Sequence, residues 1–288
     1  MGANVAEGAF TLFRRICPSS EIPRKNAIVP LMELPNTRRT LLGLIAATPL
    51  LVAERGFAAV GKTASIGNLI QKANTLPHVS ERVDFIARSL LGTRYQGNTL
   101  VGGPNLQEQF VFRDDAFDCV TYCEVVLAAA IAREIGAFET SLRRIRYNHG
   151  NVQWRERNHY FADWNQRNIE NRICQPVPME PSVSLKKTVN WHKALGPHTV
   201  SIDGIPPSTF FANKQLLKAG DIIGFTSRQP NLDFFHTGFV AFGSGGTLLL
   251  RHASQSRRRV MDDDMAGFFN VNMVKYVTLV RAMETPPQ

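Results

Sequence analysis

Cys119, His236 and His252 are the residues whose types and surroundings suit covalent chemistry. Cys119 follows Asp118 at the start of a long apolar run. The unpaired amides and positive end of a helix beginning there favour a thiolate, which is a nucleophile near neutral pH. The other reading of Cys119 is a small buried hydrophobe. Asp118 and Thr121 flank the thiol with polar groups, and the preceding loop is rich in glycine, which leaves room for a substrate. A thiolate nucleophile needs a base to take and return its proton, and that base needs an orienting partner on its other nitrogen. His236 lies early in the strand-like run Phe234 to Phe242, and His252 closes the run Thr247 to His252. Gly243-Ser244-Gly245-Gly246 between them is a hairpin signal. The hairpin can bring both imidazoles out on one side, with His236 as base and His252 as orienter. The alternative is two unrelated histidines satisfied in loops or core.

The elements that must position these groups fall into a helical half and a strand half. Residues 66–75 and 79–91 carry apolar side chains at helical spacing, and residues 92–117 read as loop. Asp118 is a good N-cap, and Cys119 to Ile135 runs almost without breakers until Gly136. Val125 to Ile131 is apolar nearly all round, so this helix is expected to be central and buried. Residues 138–175 mix aromatic and charged side chains, and the proline-rich residues 176–215 read as irregular. Ile222 to Phe225, the two histidine-bearing runs and Val274 to Val280 are strand-like. Helices first and antiparallel strands later indicate an α+β fold.

Composition limits the function classes. The chain has 288 residues, 44% hydrophobic and 20% charged, enough to bury a core. Four cysteines are too few for a disulfide-built scaffold. Cys123 is one turn from Cys119, and that pair with the histidines raises a zinc reading, although the short knuckle of structural zinc sites is missing. A Cys123–Cys174 bond is another arrangement that spares Cys119. No cofactor is expected. The net charge of +9 suits an anionic partner, but no groove-reading motif points to nucleic acid. Arg257, Arg258 and Arg259 read as a solvated loop.

Residues 36–53 hold Arg38-Arg39 and then the apolar stretch Leu41 to Ala53, too short for the ~18 residues that cross a bilayer. With the small residues near Ala58, this reads as a twin-arginine secretory signal within residues 1–58, upstream of a single domain over 59–288. A buried N-terminal helix is the other reading of the stretch. An exported protein, periplasmic or secreted, with no integral membrane segment in its mature chain is the expectation. Met32 makes a better start for such a signal than Met1, which marks residues 1–31 as a candidate mis-assigned extension. Removing residues 1–58 takes away seven basic and four acidic groups, so the net charge falls from +9 to +6.

The segments Leu91-Gly92-Thr93-Arg94-Tyr95, Phe117-Asp118-Cys119, Gly220-Asp221-Ile222-Ile223, His236-Thr237-Gly238 and His252-Ala253-Ser254 follow one another in the motif order of the NlpC-type, papain-like cysteine hydrolases of bacterial cell walls. Residues 66–282 resemble that superfamily in its unpermuted order. Phe117 to Thr121, Ile145-Arg146-Tyr147, Arg157 to Trp164 and Leu232 to Gly238 are similar to the N-acetylmuramoyl-L-alanine amidase-like branch. The resemblance implies a cysteine amidase acting on peptidoglycan or muropeptides through a thioester. It implies Cys119 as nucleophile, His236 as base and His252 as third member. Tyr95 takes the place of a site-lining tyrosine, and oxyanion stabilisation falls to the Cys119 amide with help from Tyr95. Asp118, Thr121, His159 and Tyr160 complete the candidate substrate contacts, although His159 and Tyr160 equally suit packing.

Two departures carry information. Endopeptidase relatives usually carry serine after the cysteine, and Val120 here favours the amidase over a γ-D-glutamyl-diamino acid endopeptidase. The 117 positions from Cys119 to His236 imply an insertion at about 138–215. Arg113 and Arg146 could meet stem-peptide carboxylates, with surface and structural roles as the alternative. A non-catalytic cell-wall-binding protein on the same fold is the remaining reading.

Overall fold

The computed structural model describes residues 65–284. The expected signal at 36–58 and the extension at 1–31 lie outside the described residues. Seven helices are present among the described residues: α1 (Ile66–Ala73), α2 (Val79–Ser89), α3 (Cys119–Ala132), α4 (Ile135–Arg146), α5 (Phe161–Glu170), α6 (Pro207–Ala212) and α7 (Met265–Val271). The strands are β1 (Arg94–Tyr95), β2 (Val101–Gly103), β3 (Leu106–Gln109), β4 (Ala116–Phe117), β5 (Cys174–Pro176), β6 (Val183–Val189), β7 (His198–Gly204), β8 (Ile222–Thr226), β9 (Phe234–Phe242), β10 (Leu248–Ser254), β11 (Arg259–Asp264) and β12 (Val277–Ala282). Eight of them form one sheet in the order β4-β1-β11-β10-β9-β8-β12-β5. All its pairings are antiparallel except β1 with β4. This is the expected α+β fold, with the helix that begins at Cys119 packed on a mainly antiparallel sheet.

The sheet separates two apolar cores. Consecutive strand residues point to opposite faces, and Phe239 accordingly joins the core containing α1–α5 while Val240 joins the core containing α6 and α7. Helix α3 is central to the first core. Ten consecutive residues, Thr121 to Ala130, are buried, as its all-round apolarity predicts. One of them, Glu124, is charged. Its carboxylate accepts from Arg146 Nε at 2.7 Å, with both side chains at most 3% exposed. Burial pushes the Glu124 carboxyl up and the guanidinium pulls it down. Arg146 also donates to Val111 O at 2.6 Å, so it is a structural group. Arg113 pairs with Asp115 on the surface.

Three sequence expectations need correction. Helix α3 ends at Ala132, not beside Gly136, because Arg133 adopts φ 55° and turns the chain into α4, which includes Gly136. The loop-like 92–117 contains four short strands, of which β1 and β4 belong to the main sheet. The irregular 176–215 contains the β6–β7 hairpin, paired from Val183↔Gly204 to Val189↔His198. In β6, Lys187 occupies a half-buried position in the apolar alternation. Its ammonium donates to Ser227 O, Gln229 O and Leu232 O at 2.7–2.8 Å, which is why a lysine can point inward there.

Candidate active site

Cys119 is the first residue of α3, and Asp118 is its cap. Asp118 Oδ1 accepts from the Val120 and Thr121 amides at 3.1 and 2.7 Å and from Thr121 Oγ1 at 2.8 Å. Thr121 Oγ1 in turn accepts from the Asp118 amide at 3.0 Å. This closed box fixes the direction in which the helix presents Cys119. It also occupies Asp118 and Thr121 with each other, so their role visible here is to build the helix start. Tyr95 is buried on β1 beside Phe117, two residues before Cys119. Cys119 itself is half-buried and forms no disulfide.

The two histidines come together as the hairpin suggests. His236 Nε2 and His252 Nδ1 are 2.7 Å apart, and His252 Nε2 is 3.0 Å from Asp263 Oδ2. The chain of contacts assigns the protons. A carboxylate only accepts, so His252 carries its proton on Nε2 and donates to Asp263. Its Nδ1 is then an acceptor, and His236 must donate to it from Nε2. The lone pair of His236 is therefore on Nδ1. Burial lowers the pKa of His236 well below the usual histidine value, and the charge His252 would carry adds to this. Burial lowers His252 as well, with the Asp263 carboxylate opposing it. Both rings are thus neutral at neutral pH, and a neutral ring is the form that can accept a proton.

Asp263 was not found from sequence. It belongs to Asp262-Asp263-Asp264, where each carboxylate has a different task. Asp262 holds Arg251 at 2.8 Å through two contacts, and Arg251 also reaches Asp84 on α2. Asp263 holds His252. Asp264 caps α7 by accepting from the Gly267 amide. That helix sets Phe268 against both imidazoles, with ring centres 5.4 and 5.6 Å away. Gly238 completes the assembly. A Cβ there would come within 2.9 Å of His252 Cβ and 2.8 Å of Arg251 O, so only glycine lets β10 lie this close.

The helix and the histidine strand meet one turn below Cys119, where Cys123 Sγ lies 3.8 Å from Thr237 Oγ1. Thr237 faces α3, and the next residue back, His236, faces Phe225 and Phe268. A bulge interrupts this end of β9: Phe225 pairs with His236 and Thr226 with Phe234, which leaves Phe235 as the extra residue. Bulges of this kind re-aim neighbouring side chains. Cys123 and Cys174 are both buried and not bonded to each other, and burial pushes both thiols up. Cys123 faces a threonine, not a histidine. Among the described residues no three His, Cys, Asp or Glu side chains group as metal ligands.

The segment 138–215 meets the start of β9. Asp233 Oδ2 accepts from the Ala162 amide at 2.8 Å, and Phe161 packs edge-on against Phe234 at 5.2 Å. His159 and Tyr160 hold the insertion together. His159 donates from Nε2 to Trp154 O at 2.6 Å and lies against Trp154 and Trp191. Tyr160 OH accepts from the Trp191 amide and its ring stacks on His198.

Comparison with known proteins decides the family. The model of the N-acetylmuramoyl-L-alanine amidase-like family matches residues 85–274, which include Cys119, His236, His252 and Asp263. The chain belongs to this family. With that membership goes an amidase-like role on peptidoglycan. Among solved structures, an N-acetylmuramoyl-L-alanine amidase from Bacteroides uniformis is 24% identical with a TM-score of 0.61, covering 69% of this chain and 97% of that one. A protein from Legionella pneumophila is 21% identical with a TM-score of 0.67, covering 78% and 95%. A putative xylanase from Bacteroides fragilis is 22% identical with a TM-score of 0.59, covering 68% and 98%. At these identities the structures share the amidase-like family's fold with this chain. No curated protein matches it. No helix among the described residues is long and apolar enough to cross a membrane.

Proposed function

We propose that the protein is a cysteine amidase that hydrolyses the bond between the lactyl group of N-acetylmuramic acid and L-alanine, in peptidoglycan or its fragments. The observation that carries this reading is the contact chain His236–His252–Asp263, which leaves a neutral imidazole with its lone pair on Nδ1. The motif order of the chain and the span of the family match, which takes in both residues, support pairing that nitrogen with the Cys119 thiol. Membership of the amidase-like family supports the choice of bond.

In the proposed reaction His236 Nδ1 takes the Cys119 proton as sulfur attacks the amide carbon. The carbonyl oxygen becomes an oxyanion, held by the Cys119 amide at the helix start with Tyr95 beside it. The imidazolium then protonates the nitrogen of L-alanine, the C–N bond breaks and a thioester remains. Water, deprotonated by His236, attacks the thioester and regenerates the thiol. Asp263 contributes by stabilising the positive charge that reaches the histidine pair during each transfer. Export through the signal at residues 36–58 would bring the enzyme to this substrate.

Digestion of defined muropeptides by the intact enzyme and by Cys119→Ala, read by mass spectrometry, tests the proposal. Release of an intact stem peptide beginning at L-alanine, lost in Cys119→Ala, is the expected result. Release of L-alanyl-D-glutamate would instead identify an endopeptidase, and full activity in Cys119→Ala would overturn the thiol mechanism.

A further inference from the structure

The strand ends bring together basic residues that the candidate active site does not use. β8 and β10 finish, and β9, β11 and β12 begin, at one end of the main sheet: Thr226 pairs with Phe234, Phe225 with Val277, and Ser254 with Arg259. Arg94 of β1 pairs with Arg259, and β4, which leads into Cys119, lies beside β1. His236 is near the start of β9, so Cys119 and His236 belong to this end as well.

Three connections cross it: residues 227–233, 255–258 and 272–276. With the first residue of β11 they carry Arg228, Arg257, Arg258, Arg259 and Lys275, all exposed. Their one acidic residue is Asp233, which is 2% exposed and accepts from the Ala162 amide. Among the described residues none of the five cations takes part in an ion pair. A cluster of one sign without internal neutralisation attracts an anionic partner.

Apolar groups share this end. Val271, the last residue of α7, and Met273 are the most exposed large apolar side chains among the described residues, at 82% and 67%. Met273 has φ 46°, a left-handed backbone that is uncommon outside glycine, asparagine and aspartate. Arg228 Nη1 donates to its sulfur at 3.8 Å, so cation and methylene groups meet at one spot. A single exposed apolar residue is ordinary. Two of them joined to unpaired cations suit a partner that offers both negative charge and hydrocarbon. A soluble polyanion offers only the first, whereas an anionic lipid surface offers both.

We propose that this end of the sheet docks on an anionic lipid bilayer. Val271 and Met273 enter the headgroup layer, and the five cations meet lipid phosphates. The proposal goes beyond the amidase reading and does not depend on it.

Co-sedimentation of the full chain with vesicles of phosphatidylcholine or of phosphatidylglycerol tests it. The parent is expected to bind phosphatidylglycerol at least about tenfold more tightly, and less so as salt is added. Arg257→Gln, Arg258→Gln and Lys275→Gln together are expected to remove most of that preference. Val271→Ser with Met273→Asn, which suits the left-handed backbone, is expected to weaken binding to phosphatidylglycerol about tenfold while keeping its salt dependence. The variants keep the parent's N-terminal residues, so any contribution from Leu41 to Ala53 cancels in the comparison. Thermal midpoints should match the parent's, since every substituted side chain is exposed. Absent binding, equal binding to the two vesicles, or a parent-like affinity in the charge variant each overturn the docking surface. A parent-like affinity in the Val271 and Met273 variant would show that any polyanion suffices, and overturns the choice of lipid.

Discussion

Replacing Asp263 by alanine isolates the carboxylate at the end of the histidine pair. A hydrogen bond to a charged group contributes about 1.5–3 kcal/mol where it is sheltered from water. The Asp263 side chain is 35% exposed while His252 is almost fully buried, so water can replace part of what is lost. The low end, about 1.5 kcal/mol, is the appropriate figure, and it predicts roughly a tenfold fall in kcat. KM should hold, since Asp263 acts through His252. Asp263→Asn should lose less, because its amide oxygen still accepts from His252 Nε2 and preserves the proton arrangement. The carboxylate also raises the pKa of His252 against burial, so its removal should move the acid limb of the rate profile to lower pH. Steady-state release of stem peptide from a defined muropeptide, followed across pH with thermal midpoints as a control, measures all of this. A fully active Asp263→Ala, or an Asp263→Asn more damaged than it, would refute the proton assignment.

Arg146→Met should destabilise the fold by about 3–5 kcal/mol, because it leaves the Glu124 carboxyl buried in the first core without its guanidinium partner; adding Glu124→Leu should recover most of the loss in chemical denaturation. Lys187→Met removes the donor shared by three carbonyls between β8 and β9, and faster amide hydrogen exchange over residues 228–232 should follow. Burial lowers His159 to about 4, below its ordinary 6.5. The unfolded chain therefore binds the proton first, and this contribution to stability is full above pH 6.5 and lost as pH falls towards 4. Asp233 works oppositely: burial raises it to about 6, so its contribution is full at acid pH and fades as pH rises through 6. His159→Phe should flatten the acid side of the stability curve measured by thermal unfolding.

Much of the site was legible because its signals are local. Asp118 before an apolar run announces a capped helix, and four small residues between Phe242 and Thr247 announce the turn that joins His236 to His252. What escaped depends on contacts between distant segments. Asp263 meets His252 diagonally across β10 and β11, and β11 was not read because Arg259 to Asp264 shows almost no apolar alternation. In β6 the alternation Val183, Leu185, Val189 is interrupted by Lys187, whose inward position makes sense only once the carbonyls around its ammonium are seen. The alternation of buried Val200, Ile202 and Gly204 with exposed Thr199, Ser201 and Asp203 in β7 was the signal available for that hairpin. The end of α3 was misplaced because the turn is made by Arg133 in a left-handed conformation, which no composition rule favours over the nearby glycine.

The three neighbouring aspartates make strand β11 intolerant of a register slip. Moving it by one residue along β10 would exchange its two faces. His252 would then meet either the carboxylate meant for Arg251 or the one that begins α7, and Arg251 would lose its two contacts with Asp262. Three like residues in a row, which read as a featureless acidic tract, thus act as an alignment key: one holds an arginine, the next a histidine and the last the start of a helix, and each substitution alone touches only one.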